Sequence, residues 1–477
     1  MNRKEFLKLS GVASLSLGLS ARPFSLPATI ENKKDKYGGW IGKKFEATGF
    51  FRVEKADRWW MVSPEGNAFL SFGVNHFHAG WWKAAYNREA WMKLMRIEDL
   101  EAFDPNLRLW FFETCKTYGF NSIGVHSSLN VLNQPQPAMP YVQPIQFIDI
   151  SHWKNSIKDE NFLDIFSVEF EKHCDSLAQE KALPLRNDPY LLGYAMADCP
   201  LFTEEDCRER TDTIYGARRK GRIGWPKKLR NQAEDSDGKQ AYVKLMKKLY
   251  EGDVQSFNNT YSTDFNSFQA LQKAVNWRLE TDLSNGFETR DNIEFLKLCV
   301  DRYYKTAHES IRRYDPNHLF FGDKLNGNTD TVDTVLPITT KYTDVLFYQM
   351  YGKYELQKTY LDSWHTKVDI PIINGDSAFT HIRELMPQPY GPIANSEEQN
   401  AAWTSEFFHK AFARPEFVGW HYCGLIDTPK GLIQKEADRQ HSGFFDGYGN
   451  PYDILKDTIR DCSKDIYEIG LGHKAAP

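Results

Sequence analysis

"YLLGYAMADCP", residues 190–200, is an apolar run that stops on an acid, a thiol and a proline. Its apolar side chains fill successive positions rather than alternate ones, so both faces of the strand must be covered. Strands of that kind belong to parallel sheets with helices packed on them. They seldom end in a carboxylate unless the end opens onto something that uses the charge. Asp198 is therefore the first candidate for chemistry.

The same pattern recurs on either side. "AFLSFGVN" (68–75), "NSIGVHS" (121–127) and "VQPIQFIDI" (142–150) precede it. "HLFFGDK" (318–324), "DVLFYQMY" (344–351), "PIINGD" (371–376) and "FVGWHYCGLID" (417–427) follow. Helical patterns lie between, such as "FLDIFSVEFEKHCDSLAQ" (162–179) and "NIEFLKLCVDRYYKTAHESIRRY" (292–314). Eight such strands alternating with helices predict an α/β fold, a (β/α)8 TIM barrel over residues 68–477. An open doubly wound sheet is the alternative, but no G-x-G-x-x-G follows the first strand. Residues 29–67 read as an N-terminal extension with a β-hairpin turning at Glu65-Gly66. After strand four, residues 200–290 are too long for a simple connection. This insertion, with Tyr215, Trp225, Tyr261 and Trp277, is expected to build a substrate cleft over the barrel mouth.

Composition narrows the class. The 477 residues are 41% hydrophobic and 26% charged, and the net charge of −5 speaks against a nucleic-acid partner. Thirteen Trp, 23 Tyr and 32 Phe favour sugar stacking weakly, since they also build cores. Residues 1–28 resemble a twin-arginine export signal in which Lys4 replaces the second Arg, so a periplasmic or extracellular location is expected. No later apolar run reaches the ~18 residues of a membrane span. Seven scattered cysteines with no C-x-x-C pair predict neither a disulfide scaffold nor a zinc site. The patterning leaves the oligomeric state open.

In a parallel barrel the strand C-termini meet at one mouth, where the chemistry sits. Here they carry Asn75, His76, His126, Asp198, Asp323, Lys324, Tyr348, Tyr351, Asp376, Trp420 and His421. Two carboxylates ending strands four and seven suit glycoside hydrolysis, one protonating the departing oxygen and the other attacking carbon or activating water. Asp198 and Asp376 are expected to form that catalytic pair across the mouth. The other nine are expected to bind a carbohydrate substrate, with Trp81 and Trp82 as further stacking candidates. The histidines 76, 78, 126 and 421 could gather a metal, but sugar-binding barrels also use His for hydrogen bonds. No metal and no cofactor is expected. Neither G-x-S-x-G nor H-E-x-x-H occurs, which removes the commonest other hydrolases.

Several stretches carry a family resemblance. "GFFRVEKADRWWMVSPEGNAFLSFGVN", "FNNTYSTDFNSFQALQKAV", "DPNHLFFGDKLNG", "DVLFYQMYG", "GWHYCGLIDTP" and "QHSGFFDGYGNPY" resemble the family 50 glycoside hydrolases, β-agarases of a retaining clan, over about residues 48–470. The resemblance implies a galactan such as agar as substrate. It also implies Asn-Glu at the end of strand four and Gly-Glu-Phe at the end of strand seven. This chain departs at both places. Asp198 stands at the Asn position, Cys199 at the acid/base Glu, and Asp376 at the nucleophile Glu. Each shortening withdraws a carboxylate by ~1.5 Å, so a retaining gap of ~5–5.5 Å could widen into the inverting range. Stereochemistry stays open. Asp198 is expected to hold a proton while Asp376 is ionised, with Glu204 or Glu205 as the runner-up acid. The alternative is a carbohydrate-binding barrel without hydrolase activity.

Overall fold

The structure, a computed structural model, describes residues 34–148, 163–200, 202, 209–211, 218–220, 224–280, 282, 284–328, 332–387, 389–429, 431–433 and 441–474. The predicted export signal at 1–28, Tyr215, and both Glu204 and Glu205 lie outside the described residues. No described helix is long and apolar enough to cross a membrane.

Four N-terminal strands form an antiparallel sheet: β1 (Trp40–Lys44), β2 (Arg52–Lys55), β3 (Trp59–Val62) and β4 (Asn67–Phe69), in the order β1-β4-β3-β2. The predicted turn joins β3 to β4. Gly66 (φ 77°) closes it, and a Cβ there would meet the Phe45 carbonyl at 2.5 Å. Glycine is required.

The strands that follow are β5 (Ser71–Val74), β6 (Ser122–Ile123), β7 (Tyr141–Pro144), β8 (Leu191–Asp198), β9 (Glu209–Thr211), β10 (Arg218–Lys220), β11 (Leu319–Asn326), β12 (Leu346–Gln349), β13 (Ile372–Ser377), β14 (Thr380–His381), β15 (Ile393–Ala394) and β16 (Phe417–Tyr422). Eight of them close the predicted barrel in the order β11-β12-β13-β16-β5-β6-β7-β8. β8 fills the predicted apolar stretch, and every residue in it is buried. The first predicted strand, 68–75, is split at Leu70. Its beginning pairs antiparallel with β1 and β3, and its end pairs parallel with β16 and β6. An unbroken apolar run conceals such a change of partner, because burial is the same on both sides of it.

The chain falls into two compact units: residues 1–141, 351–356 and 375–477, and residues 142–350 with 357–374. In the first, Phe72 packs against Phe120, Phe408 and Trp420 at ring distances of 4.5, 5.1 and 5.9 Å. The helix Glu397–Phe412, which carries Phe408, starts where Ser396 Oγ accepts from the Gln399 amide.

In the second unit the long helix Gly286–Tyr314 begins six residues before the predicted start at 292, because Asn285 caps it through the Phe287 and Glu288 amides. The insertion after β8 contributes short helices with a core of their own. Trp225 and Tyr261 are buried in it, and Trp277 Nε1 donates to the Arg230 carbonyl at 3.0 Å. Arg230 and Arg278 both pair with the buried Glu288, at 3.2 and 2.6 Å. Trp225 and Tyr261 thus serve as core of the insertion.

Candidate active site

Asp376, near the C-terminal end of β13, is held at both oxygens. His76 Nε2 lies 3.3 Å from Oδ2 and the Tyr351 hydroxyl donates to Oδ1 at 3.4 Å. A carboxylate only accepts, so the His76 nitrogen facing it carries the hydrogen. Asp376 is 3% exposed. Beside it the Asn75 amide donates to the Gly375 carbonyl at 2.6 Å, tying the end of β5 to β13. Asn75 Oδ1 is buried and has no partner among the described residues.

His76 and His126 follow β5 and β6 with left-handed backbones, at φ 58° and 61°. Such residues are uncommon outside glycine and cluster where a side chain must be aimed. Here they put two imidazoles face to face, 4.7 Å apart. His441 adds a third ring 4.2 Å from His76, and Trp81 lies 5.7 Å from His441. Tyr390 continues the row, 4.9 Å from His441 and 6.2 Å from Tyr351. His441 Nδ1 is 3.2 Å from Cys423 Sγ. Of the other histidines near the strand ends, His78 packs against Trp81 at 5.3 Å. Burial holds His78 below its ordinary titration range, and the neighbouring His126 adds to this.

In the second unit Lys324 Nζ stands 2.9 Å from Asp198 Oδ1, with exposures of 2% and 11% for the two side chains. A register shift between β11 and β8 around Gly322 (φ 69°) produces this contact. The irregularity turns Asp323 toward the helix layer, where Tyr303 donates to Oδ1 at 3.2 Å and the Ala197 amide at 2.8 Å. Lys324, the next residue, points the opposite way. Burial lifts the Asp323 carboxyl to about 7. Asp323 is thus a buried structural acid, contrary to its expected sugar-binding role. Cys199 is also left-handed (φ 49°), fully buried, and its amide donates to the Lys324 carbonyl at 2.9 Å.

Three more expected substrate contacts lie elsewhere. The Tyr348 hydroxyl donates to Gln357 Oε1 at 2.9 Å, and its ring packs on Trp364, so it faces the helices. Trp420 donates to Ser377 Oγ at 2.9 Å within the aromatic core. His421 is fully buried with Nε2 2.9 Å from Ser71 Oγ. A Cβ on Gly73 would come within 2.6 Å of its ring, so the ring fills space that glycine leaves. Trp82 packs on Phe77 at 4.9 Å and is fully buried. Asp427, the last residue of the predicted eighth strand, is clamped by Arg383 at 2.6 and 3.0 Å.

Sequence reasoning passed over His441, Cys423 and Gln349. Gln349 ends β12 on the face opposite Tyr348, and both its amide atoms are buried without a partner among the described residues. Period-two alternation from Tyr348 could have found it. Nothing local distinguishes His441, which becomes significant only through distant neighbours.

No protein-family model matches the chain. Among curated proteins it is 20% identical to β-agarase B of Vibrio sp. (strain JT0107) over 494 aligned positions, covering 91% of this chain and 50% of that protein. It is 22% identical to β-agarase A of the same strain over 377 positions, covering 74% and 35%. The chain therefore spans half or less of the curated relatives it matches. Among solved structures, an exo-β-agarase matches with a TM-score of 0.75 and 19% identity, over 92% of this chain and 68% of that one. The agarase AgWH50C matches equally well at 18% identity. The chain has the fold of these β-agarase barrels.

Proposed function

We propose that this chain is an exported glycoside hydrolase that cleaves O-glycosidic bonds in a galactan-like oligo- or polysaccharide, with Asp376 and Asp198 as its carboxylates. One observation carries the reading: Asp376, at a strand end of a parallel barrel, is held at both oxygens by His76 and Tyr351. Two donors fix the orientation of a group that must approach an anomeric carbon, or a water, along one line. The likeness to proteins named β-agarases supports the reaction class. Export rests on the basic, then apolar, start of the sequence.

Asp198 is the second carboxylate because it ends another strand of the same barrel. The Lys324 ammonium beside it favours its ionised form. A sugar hydroxyl that engages the ammonium frees the carboxylate to take a proton from solvent water, leaving hydroxide to the bulk buffer, and to pass that proton to the leaving oxygen. Among the expected binding residues, Asn75, His76, His126, Lys324 and Tyr351 keep a place in this reading, joined by Gln349, Trp81 and His441.

The alternative reading is a barrel that binds carbohydrate without cleaving it. Reducing-end release on a broad glycan panel separates the two. Hydrolysis abolished by both Asp376→Asn and Asp198→Asn supports the enzyme. Binding to a glycan with no turnover in the unmodified chain sinks it.

A further inference from the structure

We propose that Cys423, His441 and His76 hold a divalent metal ion of the zinc class. One ligand atom from each lies within 4.8 Å of the others, and Cys423 Sγ is 3.2 Å from His441 Nδ1. A thiolate with two imidazoles suits a borderline-soft ion that prefers nitrogen and sulfur. Magnesium and calcium prefer sets made of oxygen. Three protein ligands leave the fourth tetrahedral position for water or a substrate oxygen.

The three side chains are anchored by separate parts of the chain. The His441 amide donates to Thr428 Oγ1 at 2.9 Å, and its carbonyl accepts from the Thr428 amide at 3.0 Å. The Cys423 amide donates to the Ser377 carbonyl at 3.1 Å. His76 is aimed by its left-handed backbone. Its Nε2 faces Asp376 at 3.3 Å, and a carboxylate on one ring nitrogen is what commonly orients an imidazole whose other nitrogen binds metal. Cys423 and His76 are 1% and 9% exposed, so a bound ion would be largely shielded from solvent.

A competing triad, His76, His126 and Asp376, satisfies the same distance limit. The donor set decides against it, because an oxygen takes the place of the sulfur that a borderline-soft ion prefers. His76 and His126 are also stacked with their planes only 21° apart. His76 and His441 are tilted by 36°, and the first triad adds a sulfur. It also leaves Asp376 free of the metal.

Cobalt(II) titration of the full chain tests the site, because a cobalt–thiolate bond gives a near-ultraviolet charge-transfer band and tetrahedral cobalt gives intense visible bands. We expect one Co2+ per chain with both features, displaced by Zn2+. Cys423→Ser should lose the charge-transfer band, and Cys199→Ser should keep it. His441→Ala should keep the band and weaken Co2+ binding at least tenfold, which covers the case of a Cys423 variant that does not fold. Substoichiometric Co2+, a band that survives Cys423→Ser, or unchanged affinity in His441→Ala would overturn the proposal. The readout is independent of hydrolysis, so its failure is separate from a failure of the proposed activity.

Discussion

Lys324 Nζ lies 2.9 Å from Asp198 Oδ1, and it does so because the strand is irregular at Gly322. Regular alternation would send Asp323 toward Asp198's side and Lys324 into the helices. The left-handed glycine, whose added Cβ would lie 2.7 Å from Thr343 Cγ2 and 2.8 Å from Tyr304, makes the exchange possible. Gly322→Ala is therefore expected to cost at least ~1–2 kcal/mol from backbone conformation alone. Urea denaturation measures this, and an unchanged midpoint would contradict it.

Removing the ammonium should alter the pH profile. In Lys324→Met the Asp198 carboxyl loses its counter-ion and keeps a proton to higher pH. The alkaline limb of the pH–rate profile should move upward. A limb that stays in place assigns the acid to another residue.

Both donors on Asp376 can be weighed separately. Tyr351→Phe deletes one hydrogen bond to a carboxylate, which is worth roughly 1.5–3 kcal/mol, and should slow kcat by about ten- to a hundredfold. Asp376→Asn should cost roughly 10²–10⁴-fold or more. If Tyr351→Phe were as damaging as Asp376→Asn, the tyrosine rather than the carboxylate would be the reacting group.

Gln349 offers a test with two readouts. Its amide is buried and has no partner among the described residues, so Gln349→Leu should leave stability unchanged or raise it. If the amide meets sugar, the same change raises KM by about tenfold, the worth of one good hydrogen bond. Unchanged KM together with higher stability would mark it as a packing residue.

Asp323 should show in stability, not in turnover. Its folded carboxyl titrates near about 7, and an unfolded one near ~3.9. Between these values the folded chain binds the extra proton, so this residue's contribution to stability falls as pH rises from about 4 to about 7. Compared with Asp323→Asn, the unmodified protein should lose stability between about pH 4 and about pH 7. Parallel pH dependences of the two would contradict the assignment.

What the sequence by itself determined was the succession of buried strands and the carboxylates that end them. β8 and β13 were legible because a strand covered on both faces needs apolar residues throughout, whatever its neighbours are. Asp198 and Asp376 stand out as charges where those runs end. Side-chain direction was a different matter. At Asp323 and Lys324 it was decided by the irregularity at Gly322, which reverses the facing of two consecutive residues. At Tyr348 and Trp420 it was decided by helices that supply Gln357, Trp364 and Phe408. His441 and Cys423 acquire meaning only when the fold brings them to His76. A sequence records how much of a residue must be buried, because that depends on its own chemistry. Which groups it meets there depends on chain closure over long separations, and only the tertiary structure supplies that.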